Sequence, residues 1–211
     1  MGLLRLLTKD PLGFALVAIP LLFSIIIHEV AHGWVAYKMG DPTAKWSGRL
    51  TFNPLKHLDP VGTLMLFVAG FGWAKPVPVN FKNIPDRRKG LIFVSSAGIL
   101  ANILFAFAAL LFIRLFSTSS SGIVLVLVYK VCPYVAQINI ILAALNLIPI
   151  PPLDGSKILM GIVSQRTQYF LARLEPYGFF IIIVSLFLGI LNPLMGLFRW
   201  VIVTLIGILL P

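Results

Sequence analysis

Between Pro11 and Tyr37 the chain carries a single charged residue, Glu29, and two histidines stand close by it, His28 and His32. The rest of the run is apolar or uncharged, and it exceeds the roughly 20 residues that a helix needs to span a bilayer. A run of this kind has few homes, because in hydrocarbon only a helix or a closed barrel satisfies its backbone polar groups internally. The remainder of the chain agrees. Charged residues are 11% of the 211 and hydrophobic ones 59%, whereas about a quarter of a soluble domain is charged. Mean hydropathy is +0.98. A water-soluble fold of this length could not hide so much apolar surface, so the solvent is a bilayer.

The net charge of +10 comes largely from two polar stretches, Lys38–Lys56 and Lys75–Lys89. No stripe of basic and aromatic residues accompanies them, so no nucleic-acid partner is expected. They read as cytoplasmic loops that follow the positive-inside rule, which puts the uncharged turn Ser117–Gly122 on the opposite side. Cys132 is the only cysteine, which excludes an internal disulfide. Further spans are expected over Gly90–Phe116 and Ile123–Ile148. Pro176–Pro211 is divided at Asn192-Pro193 into two pieces, the first of them short. Lys157–Glu175 is expected to be a loop with a short surface helix. Val61–Ala74 is too short to cross comfortably and reads as re-entrant. Arg49–Phe52 and the stretch around Val77–Phe81 alternate like short membrane-associated strands. The fold class is therefore an all-α polytopic membrane protein of about five to six transmembrane helices, with a re-entrant element and short β-strands, in one domain over 1–211.

His28 and His32 are four apart, so a helix stacks them on one face, one turn apart. Two imidazoles so placed can share one Zn²⁺, and Glu29 beside the first can reach a water without itself binding the metal. This is the H-E-x-x-H pattern, in which Glu is the general base. An acid near the middle of a membrane helix costs about 2.5–3.5 kcal/mol on insertion scales and marks a functional site by default. A catalytic zinc takes three protein ligands and keeps one position open. Two residues compete for third ligand. His57 lies in a polar loop and reads as solvated. Asp154 follows a span at "NLIPIPPLDGSKI", where prolines unwind the helix and Gly155 permits a close turn, and it is the expected ligand.

The stretches "HEVAHGWVAYKMGDPTAKWSGRLTFNPLKHLDPVGTL", "GFGWAKPVPVNFKNIPDRRKG", "SAGILAN" and "NLIPIPPLDGSKIL" closely resemble, in the family's order, the site-2 protease family of intramembrane zinc metalloproteases. The likeness covers about Ile25–Leu159 and is closest to the short prokaryotic branch. It implies one zinc on His28, His32 and Asp154, with Glu29 as catalytic base. The catalytic core then spans about 11–160 and the C-terminal helices about 176–211. The likeness further implies a transmembrane protein substrate and an active site open to the cytoplasmic side of a prokaryotic cell membrane. Ile99 stands where the family usually has proline. Asn102 and Asn146 read either as donors to an oxyanion or substrate backbone, or as buried helix–helix bonds. The segments Arg49, Leu50, Thr51, Phe52 and Val77, Pro78, Val79, Asn80, Phe81 could pair with an unwound substrate as an added strand. Two other classes fit part of this pattern: a membrane metal-ion transporter, and a non-catalytic membrane metal-binding protein.

Overall fold

The computed structural model describes residues 7–69, 72–117 and 122–210. Most of the turn expected at Ser117–Gly122, and residues 70–71 of the short segment, lie outside them. Among the described residues five helices are long and apolar enough to cross a membrane.

Helix α1, Pro11–Lys38, starts where Asp10 accepts the Gly13 N–H (2.9 Å) and proline takes the first turn, which needs no N–H. Its 28 residues reach about 42 Å. It ends just before Gly40, whose φ of +107° suits glycine. Helix α2, Pro60–Ala69, has ten residues; at about 15 Å it is half the thickness of a hydrocarbon core of ~30 Å and cannot cross. Helix α3, Arg87–Phe116, is capped by Asp86, which accepts the Lys89 N–H. Helix α4, Gly122–Asn146, contains a π turn at Leu127–Val131. Pro133 follows that turn, and the wider turn makes room for a ring that would crowd the carbonyl four residues earlier. Helix α5, Asp154–Ile162, is short; α6, Gln165–Phe187, and α7, Asn192–Leu209, complete the chain.

Helix α3 packs along α1, α4 and α5, and α7 rests on α4. The main core joins Ile99 and Ala106 of α3, Ile140, Ala143 and Ala144 of α4, and Ile202 and Ile206 of α7. Small residues at this seam let the backbones approach, which is how membrane helices gain packing when lipid is as apolar as leucine.

Three expectations need correction. No β-ladder forms among the described residues; one isolated antiparallel bridge, Leu58 to Ala74, is all the pairing there is. The Val77 and Asn80 N–H groups go to carboxylates on or just beyond α1 instead of to a partner strand. The first C-terminal span does not begin at Pro176. Helix α6 starts at Gln165, with Ser164 as its cap, and runs through Pro176. The proline removes one backbone bond, and 23 residues of continuous helix satisfy the rest. His57 is not a solvated loop residue: it is fully buried, its Nε2–H donating to the Thr51 carbonyl (2.8 Å). The loop closes over it because the Lys75 N–H bonds the His57 carbonyl.

Candidate metal centre

His28 and His32 lie on consecutive turns of α1, both buried. At 1.5 Å per residue they sit about 9–15 Å inside the Lys38 end of the helix. Asp154 arrives from the other end of the sequence. The chain leaves α4 at Asn146 and turns back through its prolines, so that α5 begins at Asp154. That fold needs Gly155: a Cβ there would lie 2.4 Å from the Leu147 carbonyl oxygen. The first turn of a helix also favours a carboxylate.

The three side chains converge. His28 Nε2 and His32 Nε2 are 2.9 Å apart, and each is 3.1 Å from Asp154 Oδ2. The other ring nitrogens show what these atoms are. His32 Nδ1 faces the Val94 carbonyl at 2.7 Å, which can only accept, so Nδ1 carries the proton. His28 Nδ1 faces Asn102 Oδ1, also at 2.7 Å. Both Nε2 atoms therefore present lone pairs, to each other and to a carboxylate oxygen that is buried without a hydrogen-bond partner. Three acceptors turned on one another repel. A single shared proton serves at most two of them, whereas a cation at the centre serves all three. Zinc bonds of about 2.0–2.1 Å in a tetrahedral site place ligand atoms about 3.3 Å apart, within a few tenths of the spacings found. The donor set fits zinc.

Gly98 makes room for the pair. It faces them from α3, one turn beyond Val94, and a Cβ there would lie 2.5 Å from His32 Nε2 and 2.6 Å from His28 Cε1. Glu29 is half-buried beside the site, and its Oε2 accepts the Val77 N–H at 2.7 Å. A cavity of about 420 Å³ opens here, bounded by the three converging residues with Glu29, Val77, Val79, Phe81, Asn146, Lys157 and Glu175 among its walls.

The other expected residues divide. Val77, Val79 and Phe81 line the cavity, while Asn80 is anchored through its N–H to Asp41 Oδ2 (2.7 Å) and Pro78 lies between them. Asp41 also accepts from the Thr43 hydroxyl and N–H and from Asn83 Nδ2. Burial works to raise its pKa, but these bonds outweigh it and hold the carboxyl below its ordinary range. Arg49, Leu50, Thr51 and Phe52 do not line the cavity among the described residues; Arg49 is buried with its guanidinium on the Lys75 carbonyl. Asn146 lines the cavity and donates to the Leu142 carbonyl one turn back (3.0 Å). Asn102 is fully buried behind His28, its Oδ1 on His28 Nδ1, and it does not line the cavity.

Sequence reasoning missed two polar residues. Asn102 Nδ2 donates to Asn139 Oδ1 (2.9 Å), and Asn139 Nδ2 donates to Ser24 Oγ (2.7 Å). A spacing signal was present: Ser24, His28 and His32 recur every fourth residue of α1, and Asn139 precedes Asn146 by seven, so each set shares a helix face.

The Peptidase family M50 profile matches residues 119–189. A Bacillus subtilis (strain 168) protein named "Putative zinc metalloprotease YwhC" is 40% identical over 169 residues, 79% of this chain and 77% of that one. "Putative zinc metalloprotease Rip2" of Mycolicibacterium smegmatis is 31% identical over 185 residues, 85% of this chain and 69% of its own. Its Mycobacterium tuberculosis (H37Rv) namesake is 28% identical over 198 residues, 88% and 73% of the two chains. No solved structure matches. With likeness running through most of both chains and a buried, zinc-compatible donor set between its helices, this chain belongs to peptidase family M50, the site-2 protease family of zinc metallopeptidases.

Proposed function

We propose that the chain hydrolyses peptide bonds of membrane-spanning or membrane-associated proteins, with one zinc held by His28, His32 and Asp154 and with Glu29 as general base. The support for this is the triangle of three buried donor atoms, all within 4.8 Å of one another and bordered by the Glu29 carboxylate. When bound there, zinc supplies Lewis-acid polarisation of the scissile carbonyl and of the attacking water.

The chain's own residues do the rest. Glu29 takes the proton of the attacking water and passes it to the leaving amine. The Val77 N–H holds Oε2 and leaves Oε1 free for that water. A transmembrane substrate hides its peptide bonds in its own helix, so it must unwind before it is cut. The irregular segment over Val77–Phe81, on the cavity wall, supports a reading in which unwound substrate pairs there as an added strand. Asn146 keeps an amide hydrogen to spare for substrate backbone. We read α2 as re-entrant, the basic loops as cytoplasmic, and the cavity as opening to that side of a prokaryotic cell membrane.

Incubating the purified protein with single-span peptides, with and without a chelator, tests this by mass spectrometry. Cleavage that stops with chelator and returns with zinc is expected. Zinc contents of Asp154→Ala and His28→Ala equal to wild type would refute the ligand set. A transporter would move metal across vesicles and cut nothing.

A further inference from the structure

Behind the histidines a line of buried polar side chains crosses three helices. It starts at two acceptors that cannot turn round, the carbonyls of Pro20 in α1 and Val135 in α4. The Ser24 hydroxyl donates to the Pro20 carbonyl (2.6 Å), so its oxygen is left to accept. Asn139 Nδ2 gives one hydrogen to that oxygen (2.7 Å) and the other to the Val135 carbonyl (2.8 Å). The Asn139 amide is thereby oriented, and its Oδ1 faces α3. Asn102 Nδ2 donates to it (2.9 Å), which turns Asn102 Oδ1 toward His28 Nδ1 at 2.7 Å. An oxygen there demands a hydrogen on Nδ1, and a hydrogen on Nδ1 leaves Nε2 bare. Ser24, Asn102 and Asn139 are each 0% exposed, so the line is closed to bulk water and each member depends on its neighbours for its hydrogen bonds.

We propose that Ser24 and Asn139 are positioning residues for the metal site. Acting through Asn102, they fix the Nδ1–H tautomer and ring direction of His28. His32 needs no such line because a backbone carbonyl, that of Val94, orients it directly. Were Asn139 apolar, Asn102 could reverse its amide, set Nδ2 against His28 Nδ1, and move the ring proton to Nε2, where it would block the metal. Partners of this kind typically contribute about 10–100-fold in metal affinity. The proposal rests on the metal reading above and concerns residues that touch neither metal nor substrate.

The test uses the detergent-purified chain, whose 211 residues include three histidines. Zinc affinity is measured by competition with a chromophoric chelator. The His28 tautomer is read from ¹⁵N shifts of histidine-labelled, metal-free protein, and folding from its thermal transition. Asn139→Leu should bind zinc about 10–100-fold more weakly and shift His28 toward the Nε2–H form, whether or not the thermal midpoint moves. Ser24→Ala should weaken zinc in the same direction but less, since the Val135 carbonyl still holds the Asn139 amide; Ser24→Thr, which keeps the hydroxyl, should restore it. In an Asn102→Ala background, Asn139→Leu should add nothing. Wild-type zinc affinity and an unchanged His28 tautomer in folded Asn139→Leu would overturn the proposal. If that variant does not fold, the same result in Ser24→Ala overturns it. Wild-type protein that takes up no zinc would instead refute the metal reading itself.

Discussion

Gly98→Ala adds one methyl group directly against the candidate metal ligands His28 and His32. By helix propensity alone it should help α3, because alanine is about 1 kcal/mol better than glycine inside a helix. The surroundings reverse the sign for metal. The new Cβ would sit 2.5 Å from His32 Nε2, while ordinary contact begins near 3.4 Å, so one or both rings must retreat by about 0.9 Å. Metal sites tolerate about ±0.2 Å in ligand distance, and a displacement of that size removes a ligand from the set. We expect zinc affinity to fall at least about 100-fold, beyond the range for outer partners. Metal-free protein should suffer little. A ring that turns away gives up one hydrogen bond, to the Val94 carbonyl or to Asn102, worth about 0.5–1.5 kcal/mol net, against the gain in propensity. Zinc competition and thermal unfolding on one preparation decide the matter, with Gly196→Ala as control, because a Cβ at Gly196 meets nothing within 4 Å. Folded Gly98→Ala binding zinc within about threefold of wild type would refute the reasoning.

Glu29→Gln should abolish cleavage with zinc content and folding unchanged, because an amide cannot take the water's proton; general base action contributes about 10²–10⁴-fold, falling on kcat with KM nearly constant. Cysteines placed singly at Val79 and Phe81 should crosslink to a substrate peptide, while one at Phe52 should not; the reverse would remove Val77–Phe81 from the substrate path. Asp41→Asn should destabilise the protein most at neutral pH. The folded carboxyl titrates below its unfolded value, so its contribution is present above the unfolded pKa near 3.9 and is lost as pH falls through the folded one. The difference in thermal midpoint between wild type and Asp41→Asn should therefore shrink below about pH 4, and a constant difference would contradict the role given to those hydrogen bonds.

The convergence of His28, His32 and Asp154 was legible for a physical reason. The four-residue interval of His28 and His32 survives in any helix, and Asp154 stood out because acids are scarce in this chain and prolines had broken the helix before it. What escaped was direction. Nothing in "SAGILAN" says that Asn102 looks back at His28, and Asn139 acquires meaning only when α1, α3 and α4 are side by side. The strand reading failed because alternation reports a backbone without a helix, not one with a partner; Val77 and Asn80 give their N–H groups to Glu29 and Asp41. The span start expected at Pro176 lies at Gln165 instead, because a proline costs one bond in a helix whose remaining bonds have no better partner in lipid.

The bond between Val77 N–H and Glu29 has a further consequence for the cavity wall under the proposed role of Glu29. A carboxylate accepts a hydrogen bond about twice as strongly as a neutral oxygen does. If Glu29 is the base, it is anionic while substrate is being seated and neutral once it holds the water's proton. The wall is then gripped most firmly before attack and least firmly between attack and departure of the amine, when the cut chain must start to leave. On that role one proton would serve both as reactant and as a timing signal, and the segment over Val77–Phe81 would feel each turnover through a single hydrogen bond.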